Sequence, residues 1–272
     1  MSVEAELPDP TSSLLAFFGS ELRRIRLEAK ASQGETAKRA HTTQAMISYI
    51  ESAKRVPSED LARDLDLAFD TGGHFGRLHP LVLRYAYPSW FLPYVQLERD
   101  ATKMRAFAGQ VIPGLLQTED YARAVLSAGR PDNLDDLVAA RMTRQEVFDR
   151  EIPPRAWFVL DENVLHRAIG GEAVFRAQLA RLLEAGEHPR TVIQVVPRTV
   201  TTHPGLDGSF SLLSFEEGPD VLHVDGFSQG RFALESREVA AAEHAYDLLK
   251  AVALSPEGSA DLIRSLLKEF DR

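Results

Sequence analysis

Apolar residues recur at helical spacing between residues 13 and 69, and no strand-like alternation interrupts them. This pattern predicts four consecutive helices, and the break at residues 71–76 suggests that a first domain ends near residue 72. The predicted helices are residues 14 to about 30, residues 33 to about 40 after an N-cap at Ser32, a third opened by Thr42 and Thr43, and a fourth opened by Pro57-Ser58-Glu59.

Helical and strand patterns alternate in the rest of the chain. The β-branched run at 191–196 is the strongest strand signal, and strands predicted at 209–215 and 221–227 are separated by a hairpin-like connection. A further strand is predicted at 156–160, and helices are predicted from Thr118 to Gly129, at 134–150, 172–185 and 236–253, and from Ser255 onward. Helices from both ends of this region can cover a central sheet.

The predicted fold class is therefore α+β. A flexible tail at 1–12 precedes an all-α domain at 13–72, and residues 73–272 form a mixed α/β domain with a small central sheet. The net charge of −9 excludes a protein coated uniformly in basic side chains. It is unevenly distributed, however, because residues 1–19 carry −3, residues 20–56 carry +4 and the remainder carries −10. A short basic segment on an acidic body indicates a small module with its own partner.

The absence of cysteine excludes thiolate zinc sites, disulfides and cysteine nucleophiles. No apolar run approaches the ~20 residues of a membrane helix, and the first ten residues are acidic rather than signal-like. We therefore expect a cytoplasmic protein that does not associate with membranes.

The second and third predicted helices have the layout of a helix-turn-helix. The physics of this motif requires short polar side chains at the start of the second of its two helices, aimed at base edges in the major groove. Gln44 can offer its amide to adenine, and Ala45 can touch a thymine methyl group. The other expected DNA contacts are Gln33, placed to hold a phosphate, Thr43, Ser48 and Tyr49 near the recognition helix, and Lys54 and Arg55 along the backbone.

This segment resembles the XRE, or lambda-repressor-like, helix-turn-helix family. The resemblance implies a structural ion pair between Arg26 and Glu51 that clamps the first and third helices. Where the family has leucine, glycine, valine and glycine, this chain has Thr36, His41, Thr42 and Ala53, and a non-glycine in a left-handed turn costs on the order of 1 kcal/mol. The matching runs are Leu22-Arg23-Arg24-Ile25-Arg26, Ser32-Gln33-x-x-x-Ala37 and Ile47-Ser48-x-Ile50-Glu51-x-x-Lys54-Arg55-x-Pro57.

The resemblance continues beyond this module, over about residues 15–268. The chain looks like an actinomycete family of XRE-type regulators with a long C-terminal domain, called WhiJ-like or antitoxin-like. Membership implies a transcription factor, commonly encoded beside a small partner protein that modulates it. The matching runs are Trp90-Phe91-x-Pro93-Tyr94, the run from Val111 to Ala122, Leu137-Val138-Ala139-Ala140-Arg141, and the run from His203 to Phe210.

Candidates for catalysis are weak. His223-x-Asp225 together with His244 spells a two-histidine, one-carboxylate pattern, but the spacing is short for an iron oxygenase, and a polar strand face is the favoured interpretation. His203 is interpreted as part of a shaped loop, and Asp161-Glu162 as a helix start after a strand. No nucleotide-binding or hydrolase motif is present. We expect no enzyme activity, no metal and no cofactor.

The sequence thus predicts a DNA-binding transcriptional regulator whose C-terminal domain binds an effector or a small protein. A single helix-turn-helix buries too little DNA for a tight site, so we expect a homodimer on double-stranded DNA. The alternative is an antitoxin-like interaction module that sequesters a small partner and binds DNA weakly or not at all.

Overall fold

The computed structural model describes residues 7–226 and 229–269. Within these ranges the chain forms two compact units, the first made of residues up to Leu92 with Gly129–Thr143, the second of Pro93–Ala128 and the residues from Arg144 onward. The predicted α+β class is confirmed, because the first unit is helical and the second contains a six-stranded sheet. Half of the predicted tail, residues 1–6, lies outside the described residues, and residue 72 falls between two helices of the first unit.

Six helices, numbered along the whole chain, build the first unit. The first four are the consecutive helices predicted from the sequence, and each begins after a serine or threonine whose side chain accepts a backbone N–H of the first turn. The helices are α1 (Leu14–Glu28), α2 (Gln33–Arg39), α3 (Gln44–Glu51), α4 (Glu59–Phe69), α5 (His74–Ala86) and α8 (Leu134–Thr143). The caps are Ser13, Ser32, Thr43 and Ser58.

The core of the first unit lies where α1 and α3 pack together. Phe18 and Leu22 of α1 and Ile47 and Ile50 of α3 are fully buried. Gly19 permits the close approach, because a Cβ there would lie 2.3 Å from the carbonyl oxygen of Ile50. The buried face of α3 is thereby held against α1, and its opposite face is free to point outward.

The interruption of the helical pattern predicted at 71–76 is shorter in the structure, because α5 begins at His74. The residue before the helix, Gly73, has a φ of 83° and supplies no side-chain cap. Asp66 of α4 caps α5 instead, since its Oδ1 accepts the N–H of Phe75 at 2.9 Å and its Oδ2 accepts the N–H of Gly76 at 2.8 Å. A cap supplied by a neighbouring helix leaves no local sequence signal.

The second unit is organised around one mixed sheet. Its strands are β1 (Lys103–Ala108), β2 (Arg155–Asp161), β3 (Thr191–Val196), β4 (Phe210–Ser214), β5 (Val221–Val224) and β6 (Arg231–Ala233), in the order β3-β2-β1-β4-β5-β6. The first three strands are parallel, and β4, β5 and β6 are each antiparallel to the preceding neighbour in this order. The predicted hairpin is the β4–β5 pair, although β5 ends at Val224 and the predicted end at Phe227 lies outside the described residues.

Helices cover this sheet as expected from the sequence, but some boundaries differ. The helices are α6 (Leu92–Asp100), α7 (Glu119–Ser127), α9 (Glu172–Gly186), α10 (Ser236–Val252) and α11 (Pro256–Glu269). The helix predicted at 134–150 is too long, since α8 ends at Thr143 and a 3-10 helix follows from Arg144 to Asp149. The change of pitch coincides with the entry of the chain into the second unit, where Glu98 binds the guanidinium of Arg144. The sequence pattern did not predict α5, α6, β1 or β6.

One face of the sheet packs against α10. Val159, Leu212 and Leu249 are fully buried in this layer, beside Phe107 and Tyr246. The outer edge of β3 is closed by the α10–α11 connection, because the N–H of Leu254 donates to Val195 O at 2.8 Å and Ser259 Oγ accepts the N–H of Val195 at 2.9 Å. Covering an edge strand prevents its pairing with another chain. Among the described residues, no helix has the length and apolar character needed to cross a membrane.

Candidate nucleic-acid interface

Side-chain caps at the start of α2 and of α3, and a backbone hydrogen bond at the end of α2, define the α2–turn–α3 segment. Ser32 and Glu35 form a capping box at the start of α2, and Thr43 Oγ1 accepts the N–H of Met46 at 3.1 Å at the start of α3. Between the helices, His41 has a left-handed φ of 49°, and the N–H of Thr42 donates back to Ala37 O at 2.9 Å. The family glycine replaced by His41 thus stands at a position where glycine is the less strained residue.

The two faces of α3 differ sharply. Ile47, Ile50 and Glu51 are buried, whereas Gln44, Ala45 and Tyr49 are exposed and Ser48 is half-buried. Thr43, just before the helix, is also exposed. The residues of α3 that were predicted to contact DNA therefore lie on the side of the helix opposite its buried face, which is the face that a recognition helix presents to the major groove.

Arg26 and Glu51 form a buried ion pair that joins α1 to α3. Arg26 Nε donates to Glu51 Oε1 at 2.5 Å, and Arg26 Nη2 donates to Glu51 Oε2 at 2.8 Å. Arg26 Nη1 also donates to the carbonyl oxygen of Ala31 at 3.1 Å, just past the end of α1. The hydrogen bonds to Glu51 raise the pKa of Arg26, although burial opposes them. The pair fixes the end of α3 relative to α1 through both carboxylate oxygens.

Gln33 also binds the carboxylate of this ion pair. Its Nε2 donates to Glu51 Oε2 at 2.8 Å, and its side chain is half-buried. An amide nitrogen carries two hydrogens, so one is left after the bond to Glu51. The structure therefore connects a predicted phosphate contact to the predicted structural pair, a link that the sequence motif did not reveal.

The basic residues Lys54 and Arg55 lie in the turn that follows α3. Ala53 has a left-handed φ of 56°, and the N–H of Lys54 donates to Tyr49 O at 2.8 Å. The guanidinium of Arg55 lies 4.9 Å from the centre of the Tyr49 ring, and its Nη1 donates to Lys54 O at 2.8 Å. Tyr49, Lys54 and Arg55 thus form one cluster at the C-terminal end of α3.

The other candidate residues lie in the second unit and are separate from this cluster along the chain. His203 Nε2 lies 3.3 Å from Asp161 Oδ2, and Glu162 contacts His166 and Arg198. His223 Nδ1 lies 3.5 Å from Asp225 Oδ1, whereas His244 is exposed on α10. Within the described ranges, no group of three or more histidine, aspartate or glutamate side chains could hold a metal ion.

Several residues that complete the first unit were not found from the sequence. Asp66 caps α5, Asp136 of α8 binds Ser13, the N-cap of α1, and Thr143 of α8 binds the turn after α3. These contacts join residues up to 123 positions apart. A polar residue on a helix gives no signal of such a distant partner.

The first unit therefore contains a helix-turn-helix, and a helix-turn-helix domain family matches residues 18–74. The chain belongs to the family described as domain of unknown function (DUF5753), which matches residues 91–265, well over half of its length. No curated protein and no solved structure matches the chain.

Proposed function

We propose that the protein is a sequence-specific DNA-binding transcriptional regulator that acts as a homodimer on double-stranded DNA. The single observation that carries the proposal is the outward face of α3, where Gln44, Ala45 and Tyr49 are exposed while the opposite face is buried against α1. A helix with this division of faces can enter the major groove without disturbing the core behind it.

Each outward residue has a contact that suits its chemistry. The Gln44 amide can bind adenine through two hydrogen bonds, and the Ala45 methyl group can contact thymine. Ser48 and Tyr49 reach phosphates or base edges, and Thr43 lies at the entry of the helix. The amide hydrogen of Gln33 that Glu51 does not use can donate to a phosphate, and Lys54 and Arg55 supply the backbone charge.

The second unit is proposed to dimerise and to bind an effector or a small protein partner. Residues 93–128 and 144–272, which form the second unit, carry a net −7, which would repel the phosphate backbone, so this unit is not expected to extend the DNA contact. On α10, Leu248 and Val252 are 46% and 39% exposed although both are apolar. Residues at this i, i+4 spacing share one helix face, which suits a second subunit.

The test measures DNA binding by the full chain to fragments of the genome, first to find a preferred site and then with variants. Gln44→Ala should reduce discrimination between that site and random DNA by ~1–3 kcal/mol, the cost of a lost bidentate contact. Arg55→Ala should weaken binding to all sequences alike and flatten the salt dependence by about one unit of slope.

A matched control is Arg264→Ala, which removes the same charge from an exposed position on α11 in the second unit. It should leave both affinity and salt slope unchanged. If Gln44→Ala and Arg55→Ala both bind like the parent protein at the same salt concentration, the outward face of α3 is not the DNA surface.

A second candidate function is an antitoxin-like module that sequesters a small partner and binds DNA weakly. The observation favouring it is the strain at both ends of α3, where His41 and Ala53 occupy left-handed conformations that glycine adopts more easily. Static light scattering and pull-down of the protein encoded next to the gene distinguish the two functions. Capture of that protein by a chain with no measurable DNA affinity favours sequestration.

A further inference from the structure

Helix α8 packs in the first unit, although its sequence lies in the region that matches the family of unknown function. Leu134–Thr143 lies within residues 91–265, which match the family of unknown function. In the structure, however, the segment Gly129–Thr143 is part of the first unit, with the helix-turn-helix. The region that matches this family therefore contributes a helix to the unit that carries the candidate DNA surface.

Polar contacts fix α8 at both of its ends. Near its start, Asp136 is 5% exposed and its Oδ1 accepts a hydrogen bond from Ser13 Oγ at 2.8 Å. In its last two turns, Ala140 O accepts from the Tyr87 hydroxyl at 2.9 Å, and Thr143 Oγ1 accepts the N–H of Val56 at 2.8 Å. The contact at Thr143 reaches the turn that follows the recognition helix.

The Thr143 hydroxyl has a defined role in this contact. It has one hydrogen, which it donates to Ala139 O at 2.9 Å, so towards Val56 it can only accept. Val56 is 2% exposed, and a buried N–H that loses its acceptor is costly. Pro57 has no N–H, so the next residue donates no backbone hydrogen bond that could replace this one.

Two hydrogen bonds therefore bracket Arg55. On one side the N–H of Lys54 binds Tyr49 O at 2.8 Å, and on the other the N–H of Val56 binds Thr143 Oγ1 at 2.8 Å. Between these anchors the Arg55 guanidinium is directed over the Tyr49 ring. Loss of the second anchor would release the backbone at the position from which Arg55 projects.

We propose that Thr143 is a positioning residue for DNA binding, because it fixes the turn from which Lys54 and Arg55 reach the phosphate backbone. The inference rests on the proposed function and adds that the family region extending to residue 265 takes part in reading DNA. Thr143 itself does not touch the nucleic acid.

The experiment compares Thr143→Val with Thr143→Ser in the full chain. Valine keeps the shape and removes the acceptor, whereas serine keeps it. Affinity for a short random-sequence duplex is measured over a range of salt concentrations at which urea unfolding shows each variant to be folded. Thr143→Val should weaken binding several-fold and reduce the salt slope by up to about one, as expected for one lost phosphate contact, and Thr143→Ser should behave like the parent.

Two further variants separate positioning from stability. Asp136→Ala removes the acceptor of the Ser13 hydroxyl at the other end of α8 and should lower the free energy of unfolding without changing the salt slope. In the Arg55→Ala background, Thr143→Val should change the salt slope little further, since its effect acts through Arg55. Should the valine variant not fold, Thr143→Cys replaces it, because a thiol is of similar size and a weak acceptor.

The inference is overturned if Arg55→Ala weakens DNA binding while folded Thr143→Val, or its cysteine substitute, binds with the parent's affinity and salt slope. Equal slope changes in Thr143→Val and Asp136→Ala would also overturn it, because they would assign the effect to general loosening of α8. If the parent chain and Arg55→Ala bind every duplex equally, the proposed DNA surface itself is wrong and this inference fails with it.

Discussion

The two units bury arginine–glutamate pairs of nearly the same form. Arg26 donates two hydrogen bonds to Glu51 at 2.5 and 2.8 Å, and Arg144 donates two to Glu98 at 2.7 Å each. The side chains are equally buried, with exposures of 10% and 3% in the first pair and 9% and 2% in the second. Each pair is buried and has good hydrogen-bond geometry, so removal of one partner from either pair should lower the free energy of unfolding strongly.

The surroundings of the two pairs are different. Glu51 also accepts a hydrogen bond from Gln33, a residue of the candidate DNA surface. The Arg144 guanidinium lies 5.6 Å from the centre of the Tyr94 ring, which in turn packs 4.4 Å from the ring of His223. One pair therefore orients a surface amide, and the other supports an aromatic cluster inside its unit. What a buried ion pair does is set by the third group that touches it.

The largest expected effect is the loss of the first pair. Arg26→Ala should destabilise the first unit by about 3–5 kcal/mol, because Glu51 stays buried without its cation. Arg24→Ala is the matched control on the same helix, since its ion pairs with Glu21 and Glu28 are exposed and surface pairs contribute about 1 kcal/mol or less. Hydrogen exchange of the first-unit amides measures both. Equal losses in the two variants would mean that burial does not distinguish the pairs.

Loss of the second pair should have an effect of similar size confined to the second unit. Arg144→Ala leaves Glu98 buried and should cost about 3–5 kcal/mol, whereas the joint change Arg144→Met with Glu98→Leu should cost much less, because no buried charge remains. Hydrogen exchange resolved by unit checks the location. A loss of hydrogen-exchange protection mainly in the first unit would show that this pair does not act within the second unit alone.

A pH effect is expected from the cluster beside the second pair. Burial, and then the positive charge of Arg144, lower the pKa of His223 to about 4. Because the unfolded chain takes up this proton below about pH 6.5, stability should be unaffected above that pH and should fall by on the order of 3 kcal/mol as the pH drops to about 4. Asp225 also faces the ring, at 3.5 Å from Nδ1.

Urea unfolding of the parent and of His223→Gln across this pH window isolates the histidine, since other acidic groups titrate alike in both. Glutamine cannot titrate, so the difference in unfolding free energy between the two proteins should change between pH 6.5 and 4. A difference that stays constant across the window would show that His223 takes up its proton equally in the folded and unfolded chains.

The smallest expected effect is at the turns that flank α3. Ala53→Gly should stabilise the first unit by about 1 kcal/mol, because the residue has a left-handed φ of 56°. Ala45→Gly, at an exposed helical position of α3, should instead destabilise it by about 1 kcal/mol. Thermal unfolding of both variants tests the sign. Destabilisation by both would show that strain at Ala53 is smaller than the entropy glycine adds to the unfolded chain.

The helix-turn-helix could be predicted from the sequence because its determinants are local. Ser32 and Thr43 cap helices that start at the next residue, and Ile47 and Ile50 lie one turn apart on the buried face of α3. The strands β2 and β3 were predicted for a similar reason, since a short run of apolar residues carries the signal. The family resemblance, rather than a local pattern, pointed to Arg26 and Glu51, which lie 25 positions apart.

The tertiary structure alone decided which distant residues complete these elements. Glu98 binds Arg144, Asp66 caps α5, and Thr143 anchors the turn after α3, and in each case the signal lies in a partner elsewhere in the fold. The short strand β6 forms because β5 offers unpaired backbone groups beside it. Periodicity and capping depend on neighbours within a few residues, whereas burial and hydrogen-bond partners depend on the whole chain, so the first could be read from the sequence and the second required the packed structure.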